Sequence, residues 1–503
     1  MHRLIALCAA ALLFVSCGEK KDPIFEDPLG DLTFDDQAKA AAKEFLDIAK
    51  ANATKSCPRP VLRGTPLPGK AAEDIIAVVE TRGEDDTCAS ALSSLDERWV
   101  LEHCADNSGA AEDGFPRRRL CAISPKEFAA GSWALEDFES RRARCQSTLD
   151  ALHRAVAHED ACSPYLPGVR KVEDYGKKYR RLTSLIVMTA LKNDRAGETQ
   201  KSVESLLDLL RFNQDLHRGG TSLAEVEVAR EVSTAAISAL ERLLDRPEPL
   251  GAPLLAQIDK ELAALIASAP LPYEFLVGDT ASSALYDALP MTLGPRWSPP
   301  GKRIGALSGP SFYSETTGRR WLVALRGVKL AFERACGPSD SNRACAQRME
   351  ALAAEARDRF PAEQKSIRQW LDWIRDPKSA PPTGHTPLSL FVVAGEDYSS
   401  CIREHGQTQF YLGALRLLAR YRALAEETSS CPGIEAFDRT DFSDARIDPY
   451  SGEPLRVEAV GPGRFVVSSK EKLELGPYPN DAITIRVKCP FLVQEKPSAD
   501  GGV

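Results

Sequence analysis

The 503-residue chain reads as mainly α, a multi-helix body with disulfides and a small C-terminal α+β module of one helix and a short antiparallel sheet. Three observations predict this class. In segment after segment between Thr33 and Glu426, apolar residues recur at three- and four-residue intervals, the period of one helix face. Beyond Glu426 the period becomes strand-like, with apolar alternation on both sides of Gly461-Pro462-Gly463. Eleven cysteines follow Cys17, and none has the C-x-x-C spacing of a zinc knuckle or redox motif, so they read as a disulfide set rather than metal ligands.

Composition bounds the rest. A hydrophobic share of 43% with 27% charged residues is an ordinary globular balance. The net charge of -8 with no basic tract argues against nucleic acid as a partner. The breaks in composition divide the chain into a lipoprotein signal segment (1–17), a flexible tether (18–32), a cysteine-rich helical domain (33–166) and a helical hairpin or bundle region (167–290). A Pro/Gly linker with further helices (291–400), a helix plus small antiparallel sheet (401–490) and a disordered tail (491–503) complete it.

The start of the chain carries an address. Arg3 precedes an apolar run of twelve residues, Leu4 to Val15, too short to span a bilayer, and Phe14-Val15-Ser16-Cys17 closes it. This ending resembles the lipobox of bacterial lipoproteins, which implies cleavage before Cys17 and acylation of that cysteine. Phe14 stands where that pattern usually has Leu. Gly18 rather than Asp follows Cys17, so the resemblance implies an exported protein anchored in the outer membrane if the host is Gram-negative. The membrane is then a partner through the lipid alone.

In chain order, Gly18 to Leu32 is charged and broken by Pro and Gly, as a tether should be. Thr33 precedes a helix to about Ala53 with Phe45, Leu46 and Ile48 on its apolar side. Cys88 to His103 and Glu136 to Ala157 look helical, separated by loops of which Asn107 to Pro116 is the clearest. Leu182, Leu185, Ile186 and Leu191 mark one helix, and Val203, Leu206, Leu207 and Leu210 a second after the turn at Asn193 to Gly197. That hairpin is similar to one tetratricopeptide unit, but no second copy follows at a 34-residue period. Ser222 to Glu225 is a capping box opening a helix that must stop before Pro247, and Pro253 opens the next. Pro290 to Pro310 reads as a long loop. Helices are expected at roughly Glu315 to Ala335, Ala344 to Asp358, Pro361 to Ile374 and Ile402 to Glu426, then strands at 455–460, 464–467 and 482–487.

Geometry constrains the disulfides. Cys88 and Cys104, at the ends of one predicted helix, would stand about 24 Å apart, and Cys145 and Cys162 nearly as far, so neither pair should bond. The helix 402–426, about 37 Å long, keeps Cys401 from Cys431. Cys431 should pair with Cys489, Cys336 with Cys345 across its polar turn, and Cys401 should be the odd thiol.

A further resemblance lies near the C-terminus. The run Asp448-Pro449-Tyr450-Ser451-Gly452-Glu453-Pro454-Leu455-Arg456, after an amphipathic helix and before a hairpin, resembles the end of an uncharacterised group of bacterial lipoproteins and secreted helical proteins. Their helical body is similar to the stretch from about Arg144 to Ala425. The same turn and sheet are faintly similar to type II secretion pseudopilins, though a lipobox stands here in place of the methylated helix those proteins need. The resemblance implies architecture and no activity.

Candidate sites are few. His153, His158, Glu159 and Asp160, beside Cys162, form the densest set of acid, base or ligand groups. The two histidines lie five apart, about 500° around a helix, so they share no face, and a solvated helix end is the simpler reading. Gly64 to Ala71 has P-loop spacing up to Lys70, but Ala71 replaces the magnesium-binding hydroxyl, and Pro66 and Pro68 lack amides for phosphate. Ser469 and Lys472 have S-x-x-K spacing after a strand rather than at the start of a helix. Trp370 and Trp373, three apart, read as packing. No catalytic residue, metal site or cofactor is expected. The expectation is a lipid-anchored cell-envelope protein, a non-catalytic scaffold or interaction module with a protein partner. The alternatives are an envelope hydrolase acting on cell wall or lipid, using the His153 group, and an accessory of a secretion or pilus-like machine.

Overall fold

The computed structural model describes residues 34–79, 87–92, 135–162, 169–218, 223–289, 315–337, 342–375, 392–469, 484–489 and 491. Over these residues the chain is mainly helical, with a three-stranded antiparallel sheet at its C-terminal end. The signal segment, Cys17, Cys104, Cys121, Ser222 and the loops expected at 107–116 and 290–310 lie outside the described residues.

The axis of the fold is α13, Val392–Thr428. Its sequence from Phe410 to Tyr421 is apolar almost all round, the composition of a helix surrounded by others rather than lying on a surface. Phe410, Leu412, Leu415, Leu417, Leu418 and Tyr421 are all buried. Against it pack α8 (Leu223–Leu244), α9 (Ala252–Ala267) and α12 (Asn342–Arg375). Arginines fasten this axis. Arg416 and Arg420 both reach Asp259 of α9, at 3.0 and 2.8 Å, and Asp444 in the segment before the sheet.

A layer of α6 (Val169–Arg195), α7 (Thr199–Leu216) and α8 lies beside the axis. Gly197, at φ 82°, makes the left-handed turn between α6 and α7, a conformation that favours glycine. The cysteine-rich part contributes α2 (Ala72–Val79), α3 (Thr87–Leu92), α4 (Leu135–Arg144) and α5 (Gln146–Ala157). Its disulfides join Cys57 to Cys162 and Cys88 to Cys145, with Cα atoms 5.0 and 4.4 Å apart. Neither Cys88–Cys104 nor Cys145–Cys162 forms.

A second body gathers α1 (Phe34–Thr54), α10 (Pro272–Ser283), a π-helical turn at Ala284–Ala288 and α11 (Glu315–Ala335). Phe45, Ala281, Leu285, Leu289 and Leu322 form its core. Cys336 bonds Cys345 between α11 and α12. The larger hydrophobic core draws on residues from Ala71 to Leu265 and from Phe410 to Cys489, segments that the breaks in composition separate.

Several expectations need correction. The helix around Cys145 is two, α4 and α5, meeting at that residue. Pro361 starts no new helix: α12 runs through it to Arg375, across the hydrogen bond that a proline removes. The last helix begins ten residues earlier than expected, at Val392, and so includes Cys401, whose side chain lies outside the described residues. A short parallel pair was not expected: β1 (Leu67–Lys70) beside β2 (His158–Asp160). Parallel pairing between segments ninety-odd residues apart leaves no local period to read.

At the C-terminus β3 (Arg456–Gly461), β4 (Arg464–Ser468) and β5 (Thr484–Lys488) lie in the order β3-β4-β5, with Phe465 opposite Ala459 on one side and Val487 on the other. Gly463, at φ 58°, turns the hairpin directly against the Cys431–Cys489 disulfide. Tyr421 of α13 stacks on Phe437, and Phe465 of β4 meets both edge-on, with ring centroids 5.2 to 5.4 Å apart, which seals the sheet to the axis.

The Asp448 to Arg456 turn is a clamp on α13. Asp448 is fully buried and its carboxylate accepts from the Tyr450 amide at 2.9 Å, the Ser451 hydroxyl at 2.9 Å and the Ser469 hydroxyl at 2.6 Å. Gly452, at φ 71°, closes the turn and donates its N–H to the Asp448 carbonyl. The turn then presses Pro449 against Gly413 and the Tyr450 ring against Gly406. Two glycines one heptad apart on α13 are the notches that receive it.

Candidate functional site

The His153 group does not converge. His153 stands half-exposed on α5 and bonds Asp208 of α7 at 3.0 Å. The Asp208 hydrogen bond raises its pKa above 6.5 against the opposing effect of burial. His158, buried, faces the other way and meets Asp74 at 3.1 Å, where Arg154 also binds. It closes α5 as its C-cap, and it is not solvated. Glu159 and Asp160 belong to a latch. The Glu159 carbonyl accepts from the Arg59 amide at 2.9 Å, and the Asp160 carboxylate accepts from the Cys57 amide at 2.8 Å, beside the Cys57–Cys162 disulfide.

The other motifs are structural too. Ala71 donates its N–H to the Asp160 carbonyl, so the P-loop-like stretch is a paired strand rather than a phosphate cradle. Ser469 donates to Asp448 and completes the clamp. Trp370 and Trp373 lie on α12, with side chains outside the described residues.

What the structure does assemble is a cleft of about 750 Å³ between α5, α7, α9 and the segment 59–64. His153 is the one member of the expected group on its wall. The floor is built on α7, whose Asp208, Arg211 and Asp215 recur at three- and four-residue spacing and so share one face, with Arg218 just beyond its end. Beneath the cleft Asp215 is fully buried, 2.9 Å from Arg59 and 3.6 Å from Arg218. Burial pushes its carboxyl up, and Arg59, Arg218 and Arg211 oppose that rise without cancelling it. Arg59 is also anchored to carbonyls at the end of α5, donating to Val156 and Ala155 at 2.9 and 3.0 Å.

Two further arginines reach the cavity itself. Arg63 bonds Asp208 through Nη2 and approaches Glu261 through Nε at 3.2 Å, leaving a buried Nη1 with no partner among the described residues. Arg211 is only 5% exposed, and its buried Nη1 likewise has no partner among the described residues. Burial brings its pKa down to about 10 despite Asp215 nearby. Lys260 stands exposed at the rim. The sequence signal for this floor was the charged ladder along α7, hidden because the same helix also carries a full apolar face, Val203 to Leu210.

Among the described residues no group of three or more His, Cys, Asp or Glu could hold a metal ion, and no helix is long and apolar enough to cross a membrane. Fold and site together define a disulfide-braced helical protein with an arginine-floored cleft. No protein-family model, curated protein or solved structure matches this chain.

Proposed function

We propose that this is an exported, lipid-anchored cell-envelope protein acting as a non-catalytic binding or interaction module. Cys17 carries the lipid, the membrane is reached through it, and the working contact is with a ligand or protein rather than nucleic acid. The observation that supports a binding role is the cleft of about 750 Å³, lined by Arg59, Arg63, Arg211 and Lys260 and by no serine, threonine or cysteine among the described residues. The hydrolase alternative loses its support because His153 and His158 face different helices, toward Asp208 and Asp74. Export is supported by the four cysteine pairs among the described residues, three of which tie elements 57 to 105 residues apart, as suits an oxidising compartment.

The test is palmitate labelling and membrane fractionation of the full chain and of Cys17→Ala. The variant should lose the label and leave the membrane fraction. Label at wild-type level on Cys17→Ala would overturn the anchoring, and proximity labelling from the intact protein would identify the partner.

A further inference from the structure

We propose that His405 makes the joint between α9 and α10 acid-sensitive: protonation of its imidazole releases the segment 268–271 from α13. This goes beyond the binding role and takes from that reading only the exported location, where the joint meets acid from outside the cell.

The segment connects the axis to the second body and has little with which to hold itself. α9 ends at Ala267, α10 starts at Pro272, and neither Pro270 nor Pro272 has an N–H to donate. Three side chains fasten it from outside. Gln214 of α7 donates to the Leu265 carbonyl at 2.6 Å, Arg218 donates to the Ser268 carbonyl, and His405 of α13 donates to the Pro270 carbonyl. Of these three, His405 is the one whose charge changes near neutral pH.

Its surroundings reject a positive charge. His405 and His217 are both buried, with ring centroids 6.4 Å apart. They line a cavity of about 30 Å³ where α7, α8, α9 and α13 cross, together with Arg230 and the neutral Asn213, Gln214 and Gln409. No carboxylate lines it among the described residues. The acids on the neighbouring elements are engaged elsewhere. Glu404 of α13 pairs with Arg230 of α8 at 2.8 Å, Glu350 of α12 with Arg403, and Glu274 of α10 with Lys55. Asp215 of α7 meets Arg59 and Arg218, and Glu261 of α9 meets Arg63. An imidazolium at His405 would therefore face a guanidinium and a second imidazole. Burial brings the His405 pKa from 6.5 down to about 4, and the hydrogen bond to Pro270 opposes that fall only in part.

A histidine held neutral supports its contacts fully above its ordinary pKa, and that support is lost as pH falls from 6.5 towards 4. Asp215 and Glu261 have carboxyls pushed up by burial, so acid favours their folded form and neither can produce this loss.

The test compares hydrogen–deuterium exchange of the oxidised full chain at about pH 7.5 and about pH 5, with rates corrected for intrinsic exchange. The amides of Ser268, Ala269 and Leu271 should lose at least about tenfold in protection, with a ceiling of roughly thirtyfold set by a histidine of pKa 6.5 when open and about 4 when closed. Amides from Phe410 to Tyr421 in α13 should keep theirs. His405→Gln and His405→Asn each retain a side-chain N–H near one ring nitrogen and take up no proton, so whichever matches wild type at neutral pH should stay protected in acid. His217→Gln leaves the bond to Pro270 in place and should keep the acid response. If neither His405 variant folds, the wild-type profile still decides, because one proton permits at most about tenfold per pH unit below 6.5. Unchanged protection of the segment in acid, an equal loss in α13, or a steeper profile overturns the proposal. So does an acid response that survives in a folded His405 variant or vanishes in His217→Gln. The lipid at Cys17 does not enter this measurement, so the two readings fail separately.

Discussion

Gly406→Ala isolates the clamp that holds the C-terminal module on the central helix. A Cβ at Gly406 would stand 1.9 Å from Tyr450 Cδ2 and 2.4 Å from Cε2. Ordinary carbon contacts lie near 3.5 to 4.0 Å, so the ring would have to retreat by roughly 1.5 to 2 Å. It has little room, being 5% exposed with its own amide held by Asp448. Overpacking of this kind costs about 1 to 3 kcal/mol, against a gain near 1 kcal/mol from replacing glycine by alanine inside a helix. Gly406→Ala alone should therefore destabilise by up to about 2 kcal/mol. Once Tyr450→Ala has emptied the notch, the same change should stabilise by about 0.5 to 1 kcal/mol. Urea unfolding of the wild type, both single variants and the double variant, at unchanged m-value, measures the reversal. A stabilising Gly406→Ala in the wild type, or an undiminished penalty in the Tyr450→Ala background, would refute the clamp.

Three other outcomes are expected. Replacing Cys431 and Cys489 by serine should lower stability by around 4 kcal/mol on the chain-entropy estimate for a separation of 58 residues, read as a urea midpoint shift absent from reduced wild type. Arg422→Met should cost about 3 to 5 kcal/mol, because this buried arginine donates to the carbonyls of Leu244, Arg246 and Glu248 and pairs with Glu426 at 2.9 Å; a loss under about 1 kcal/mol would show that the 244–251 turn holds itself. Acid should weaken the same joint. Burial pushes the Glu426 carboxyl up, but the Leu250 amide, Arg422 and the Gly251 amide outweigh it, and the net shift is down. Asp444 is also held low, first by its hydrogen bond to Arg420. A lowered carboxylate stabilises the fold above its ordinary pKa and loses that contribution as pH falls through the folded value. Stability should therefore decline from the ordinary carboxylate range, near pH 4.5, downward. Glu426→Gln should flatten the decline in a thermal-midpoint profile.

Local spacing alone determined the helical period, the turns at Gly197 and Gly463, the hairpin, and the span of 402–426 that keeps Cys401 from Cys431. Each of these depends on residues within one or two turns of each other, where propensity, period and chain length act directly. Tertiary structure decided what α13 is for. Its stretch from Phe410 to Tyr421 is apolar on almost every side and points to no single partner, and only the packing of α8, α9 and α12 makes it an axis. Pro361 shows the same limit, since α12 continues through the local stop signal. The site divides in the same way. His153, His158, Glu159 and Asp160 are close in sequence, but a helix end and a strand turn them toward different neighbours. Arg59, Arg63, Arg211 and Lys260 come from three separate segments and meet only because α5, α7 and α9 enclose one cavity. Charge on a helix face looks solvated in a linear chain; burial is a property of what folds over it, and that is written in no single stretch.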